Sequence, residues 1–139
     1  MAAVKNIRTG RHCVFALHVH LVFVTKFRHP VFAERHLSRL EEIMGDVCRD
    51  FDCELVEFNG EREHVHLLVD FPPKVAVSRL VNSLKGVSSR RLRQEFPELA
   101  RHYWRANKLW AGSYFAGSVG GAPLEVLRSY IETQNRPAN

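Results

Sequence analysis

Two imidazoles one residue apart, His64-Val65-His66, are the first place in this chain where side-chain type and spacing suggest chemistry. On a strand, residues two apart share a face and rise about 6.6 Å, so one divalent ion can bridge them. Val65, Leu67 and Val69 then point to the opposite face, where helices can bury them, and the histidines take the uncovered side. An isolated pair of this kind is more often two half-exposed strand histidines, because two ligands do not make a site. His18-Val19-His20 repeats the spacing on an earlier strand, and nothing in its geometry excludes a metal. If the two strands are central neighbours, the pairs approach each other.

Tyr130-Ile131-Glu132-Thr133-Gln134 is the second candidate. On a helix, residues four apart differ by about 40° in azimuth and about 6 Å in height, so Tyr130 and Gln134 share a face. Leu124, Leu127 and Ile131 form the core stripe, with Tyr130 and Gln134 on its boundary. A boundary tyrosine is usually a packing residue with its hydroxyl in water. The chemical alternative is a nucleophile at the core edge, beside an amide oxygen able to act as a hard metal ligand. Gly120-Gly121, just before this helix, reads either as a tight turn or as a hinge.

A third stretch gathers Lys85, Ser88, Ser89, Arg90, Arg91 and Arg93, followed by Arg101, His102, Trp104, Arg105 and Lys108. Cations, hydroxyls and aromatics together suit phosphate contact and base stacking, although many basic helical faces are simply solvated. Twenty Lys and Arg against fifteen Asp and Glu leave a net charge of +5, which favours a polyanionic partner. Glu41-Glu42 and Glu61-Arg62-Glu63 read as ordinary solvated charge. The sequence has no Walker loop, G-x-S-x-G elbow or dinucleotide fingerprint.

The elements that must position these groups follow from periodicity. At 139 residues and 45% hydrophobic, the chain reads as one domain over 1–139, able to build a core without disulfides. Its three cysteines contain no C-x-x-C pair, which fits a reducing cytoplasm, and no apolar run approaches a membrane span. A long strand is expected over Cys13 to Thr25, a helix from Ala33 to Asp50, and strands over Cys53 to Phe58 and His64 to Phe71 joined through Asn59-Gly60-Glu61-Arg62. A basic helix from Val77 closes at Pro97, residues 98–112 form a short helix or loop, Ser113 to Val119 a strand, and Pro123 opens the last helix. This order predicts an α+β, ferredoxin-like (RRM-like) antiparallel sheet with helices on one face and a C-terminal helix carrying the tyrosine.

Taken together the segments resemble the single-tyrosine HUH transposases of small insertion sequences that move as single-stranded DNA, the TnpA type. The likeness spans nearly the whole chain. It rests on H-L-V-F-V-T-K-F-R-H-P-V-F at 20–32, E-H-V-H-L-L-V at 63–69, L-K-G-V-S-S-R-R-L-R-Q-E-F-P at 84–97, L-W-A-G-S-Y-F-A-G-S-V-G-G at 109–121 and L-E-V-L-R-S-Y-I-E-T-Q at 124–134. One departure is Glu63, where an aspartate more often precedes the first histidine. The resemblance implies that His64, His66 and Gln134 hold Mg²⁺ or Mn²⁺, that Tyr130 is the nucleophile, and that His18 and His20 are structural. It further implies a homodimer sharing its sheet, a tyrosine helix swinging about Gly120 and Gly121, and single-stranded DNA with hairpins at element ends as partner. Lys85, Arg90, Arg91 and Arg93 fall in the family's basic helical block. The implied activity is cleavage and rejoining of DNA through a covalent 5′-phosphotyrosine. The rivals are a domesticated or inactive nucleic-acid-binding protein on the same fold and a metal-dependent phosphodiesterase using water.

Overall fold

The computed structural model describes residues 7–10, 13–103, 108–118 and 130–133. Four strands form one antiparallel sheet in the order β4-β5-β3-β6: β3 (His18–Val24), β4 (Glu54–Gly60), β5 (His64–Asp70) and β6 (Phe115–Ser118). Helices α1 (Glu34–Asp50) and α2 (Val77–Glu95) separate the strands in the sequence and pack on one face. This is the ferredoxin-like arrangement expected from the element order.

Alternation along β3 and β5 divides the residues between two environments. Val19, Leu21, Phe23, Val65, Leu67 and Val69 enter the main core with Leu40, Ile43 and Met44 of α1 and Leu80, Leu84 and Leu92 of α2. Each fully buried side chain of this size contributes about 1.5–3 kcal/mol relative to exposure, so the sheet's orientation is strongly specified. The opposite parity carries His18, His20, Val22 and Val24, paired in register with Asp70, Leu68, His66 and His64.

Two expectations need correction. The long strand from Cys13 is broken: β2 (Val14–Phe15) pairs with β1 (Arg8–Thr9) in a separate ribbon, and β3 begins only at His18. Arg8 closes that ribbon onto the sheet through Asp70, 3.0 Å away. The basic helix stops at Glu95, before Pro97 as expected, and Pro97 also opens a further helix, α3 (Pro97–His102), in the stretch expected to be a short helix or loop. A proline at the first helical position loses nothing there, since its missing N–H would have no intrahelical acceptor. The β4–β5 hairpin is also tighter than expected, because β4 continues through Asn59 and Gly60.

Between β3 and α1 the chain turns sharply at Phe27 and Arg28, both at positive φ (60° and 56°). Neighbouring hydrogen bonds hold this costly conformation. Thr25 Oγ1 donates to the His29 carbonyl at 2.8 Å, the Lys26 amide donates to Leu109, and the Tyr103 hydroxyl donates to the Lys26 carbonyl at 3.1 Å. Among the described residues no helix is long and apolar enough to cross a membrane.

Candidate active site

The face of the sheet opposite α1 and α2 collects the groups that could react. His64 and His66 sit on β5 with ring centroids 4.9 Å apart, and their cross-strand partners on β3 are Val24 and Val22. Those valines are fully buried although no helix of the main core reaches them. Their cover is Phe115 of β6 together with Tyr130 and Ile131, where residues 130–133 are helical. Cross-strand partners share a face, so Tyr130 packs on the same side of the sheet as both histidines. The expected placement of the imidazole pair opposite the helices, and of the tyrosine at a core edge, is therefore what the fold produces. Gln134, Gly120 and Gly121 lie outside the described residues.

Each histidine of the pair has one ring nitrogen engaged. Nδ1 of His64 lies 2.9 Å from the Glu63 carboxylate, which as an anion can only accept, so this nitrogen carries the donated proton and, in the neutral ring, Nε2 is the ligating nitrogen. Nδ1 of His66 lies 3.3 Å from Nε2 of His20. Burial, with smaller contributions from repulsion by His64 and His20, pushes the His66 imidazole down to about 4. At neutral pH it is thus uncharged, the form in which an imidazole ligates a metal. These are two nitrogen donors on one face, and they could supply part of a cation's shell. Among the described residues no group of three or more His, Cys, Asp or Glu converges on one point.

Tyr130 is half-buried, and its hydroxyl shares a 3.0 Å hydrogen bond with Ser113 Oγ. Burial raises the phenol above its ordinary value, partly offset by the Ser113 hydroxyl. A phenol held protonated in this way attacks only if something accepts its proton or stabilises the developing anion.

Sequence reasoning read Glu61-Arg62-Glu63 as solvated charge, and for Glu63 that is wrong. Its carboxylate bridges His64 Nδ1 and Arg28 Nε, the latter at 3.9 Å. The available signal was its position directly before the first histidine. His18 and His20, grouped together in the sequence, have separate surroundings. His18 faces Asp70, with Nε2 3.8 Å from the carboxylate, whereas His20 touches His66.

The basic block is also more varied than its sequence suggests. Ser88 and Ser89 are buried and used internally: Ser88 Oγ accepts the Trp110 indole N–H at 3.0 Å, and Ser89 Oγ accepts the Leu109 amide at 3.1 Å. Trp110 packs against Phe23 and Phe32 in the core, so it cannot stack on a base. The Lys85 ammonium donates to the carbonyls of Ala111 and Ser113 at 2.7 and 3.1 Å, and burial lowers its pKa. Arg91 lies 3.9 Å from Asp46 and 4.0 Å from Glu95, and Arg93 donates to Ser89. Arg90 is exposed on α2. A 310 Å³ groove beside this helix is lined by Asn82, Lys85, Arg93 and Lys108 among others.

Fold and site together define an α+β, ferredoxin-like domain that carries a histidine pair and a half-buried tyrosine on one sheet face. Comparison with known proteins makes the class specific. Residues 13–134 match the family described as "Transposase IS200 like", and the chain belongs to that family. It is 32% identical to the ISDra2 transposase TnpA of Deinococcus radiodurans over 130 residues, covering 94% of this chain and 92% of that protein. It is 30% identical to the transposase of insertion sequence element IS200 from Salmonella typhimurium, over 83% of this chain and 74% of the relative. A crystal structure of a candidate transposase from Deinococcus radiodurans superposes with a TM-score of 0.85 at 32% identity, covering 94% and 99% of the two chains. A REP-associated tyrosine transposase, solved bound to a REP hairpin, shares the fold at 13% identity with a TM-score of 0.54, covering 90% and 68%.

Proposed function

We propose that this transposase cuts and rejoins single-stranded DNA with Tyr130 as nucleophile, beside a cation held by His64, His66 and Gln134. The observation that carries the reading is the packing of Tyr130 on Val22 and Val24, the cross-strand partners of His66 and His64. A nucleophile and two imidazoles thereby share one face of the sheet.

His64, His66 and the Gln134 amide oxygen would hold Mg²⁺ or Mn²⁺ there, nitrogen and oxygen donors that such an ion accepts. When bound it would draw negative charge from the non-bridging oxygens of the scissile phosphate. The chain's own groups do the rest. Ser113 orients the phenol through its hydroxyl, and Glu63 orients His64. Attack forms the Tyr130 Oη–P bond and breaks the P–O3′ bond. The phenolic proton is lost and the departing 3′ oxygen gains one, so no net proton or external energy source is consumed. The product ester resembles the one broken, and a second 3′-hydroxyl reverses the step to join strands.

Support for a hairpin ligand comes from the REP-associated relative, which was solved with a hairpin bound. Exposed Arg90, together with Arg91, Arg93 and Lys85, provides positive charge along α2. In this reading the protein works as a homodimer, with Gly120 and Gly121 as the hinge of the tyrosine helix. The test incubates purified protein with single-stranded element ends and Mg²⁺ or Mn²⁺, then looks for a slower band on a denaturing gel. Wild type should form it and Tyr130→Phe should not. An undiminished band in the variant refutes the assignment, and hairpin binding without any band favours a non-catalytic binding protein.

A further inference from the structure

We infer that His20 is a positioning residue for His66, selecting the tautomer that leaves Nε2 of His66 free to meet a divalent cation; this rests on the proposed role of His66 as a ligand. The register makes the contact possible. His20 pairs with Leu68, and Val22 with His66, so His20 and His66 are diagonal neighbours on the same sheet face. Their rings approach to 5.4 Å between centroids with a 33° tilt, bringing Nδ1 of His66 to 3.3 Å from Nε2 of His20.

Two neutral imidazoles in this contact share one proton between the facing nitrogens. If His20 donates, the proton of His66 must sit on its far nitrogen, Nε2, and no lone pair is left for an ion. If His66 donates from Nδ1, its Nε2 lone pair is free. The neighbouring histidine shows which arrangement serves the site, since Glu63 forces Nδ1–H on His64 and leaves Nε2 open. His20 gives His66 what Glu63 gives His64, a partner on the ring nitrogen turned away from the ion. Such partners orient the ring and fix its tautomer in metal sites generally.

The experiment uses full-length protein labelled with ¹⁵N-histidine. In metal-free wild type at neutral pH, long-range proton–nitrogen spectra should show His66 protonated on Nδ1. His20→Leu removes the acceptor, so His66 should move towards the Nε2–H form while His64 keeps its tautomer. Mn²⁺ affinity, followed by water-proton relaxation, should fall about 10- to 100-fold. His20→Gln places an amide oxygen the same number of bonds from Cβ as the lost Nε2, and should restore both readouts to within a few-fold. An Nε2–H tautomer of His66 in wild type overturns the inference. So does a folded His20→Leu protein with unchanged tautomer and Mn²⁺ affinity. A failure of the metal reading looks different: Mn²⁺ binding would be absent, or indifferent to His64→Ala, whatever the tautomer of His66.

Discussion

Replacing Ser88 by Ala separates a structural hydroxyl from a DNA-binding one. Ser88 is fully buried, its Oγ accepts the Trp110 indole proton at 3.0 Å, and it donates to the Lys85 carbonyl at 3.2 Å. Ser88→Ala strands a buried indole N–H, which costs about 1–3 kcal/mol. Better helix propensity at this position returns about 0.4 kcal/mol, leaving a net loss of roughly 0.6–2.6 kcal/mol. For a domain of this size that lowers Tm by about 2–10 °C. Trp110→Phe loses ring volume beside Phe23 and Phe32 but strands no donor, because Ser88 keeps its bond to Lys85. The double variant should therefore be less destabilised than the sum of the singles by about 1 kcal/mol or more. Denaturant unfolding of the four proteins measures the coupling, and hairpin affinity well below Tm should stay at the wild-type value throughout. A coupling indistinguishable from zero, or a Ser88→Ala protein of normal stability and weakened DNA binding, would refute the inward role of this serine.

Other consequences are open to equally direct tests. Gly86 lies inside α2, and beyond its chain neighbours and the adjoining helix backbone nothing lies within 4 Å of where a Cβ would sit, so Gly86→Ala should stabilise by about 0.5–1 kcal/mol in thermal unfolding; an unchanged or lower Tm contradicts this. Arg90→Ala should weaken DNA binding and reduce the salt slope by about 1, whereas Lys85→Met should chiefly lower stability, because that ammonium is bonded to two carbonyls. Burial pushes the Cys48 thiol up to about 12 and Cys53 to about 11, while Cys13 is exposed. A native thiol titration should accordingly show one fast group and two slow ones, and three equal rates would be inconsistent with the fold. The Glu98 carboxyl is held down at about 2, first by His36 and then by its own backbone amide and Arg35. A depressed carboxyl stabilises the fold above its unfolded value of 4.5, and that contribution is lost as pH falls towards 2. Glu98→Gln should flatten the acid limb of stability in this window, and an unaltered slope would count against the ion pair.

Most of the framework is local enough to read from the sequence. The helical spacing of Leu40, Ile43, Met44 and Val47 and the period-two pattern of Val65, Leu67 and Val69 each encode one buried face. The element order then leaves few topologies. The stretch after Pro97 stays open between helix and loop in the sequence, because the six residues of α3 are too short to show a period. Strand β1 was invisible for a similar reason. Two residues carry no period, and Arg8–Thr9 becomes a strand only because Val14–Phe15 lies across from it.

The candidate site divides along the same line. Spacing alone places His64 with His66 on one strand face and Tyr130 at a helix boundary, since both follow from the repeat of a single element. What Glu63, His20, Ser88 and Trp110 do depends on residues distant in sequence, 46 positions apart in the His20–His66 contact and further still where Trp110 packs on Phe23. The register between β3 and β5 decides which ring nitrogen meets which, and the docking of α2 decides which hydroxyls turn inward. A charged or hydroxyl-bearing residue has the same formula whether it faces solvent or a buried indole. Only the tertiary packing, which removes water from one choice and not the other, tells them apart.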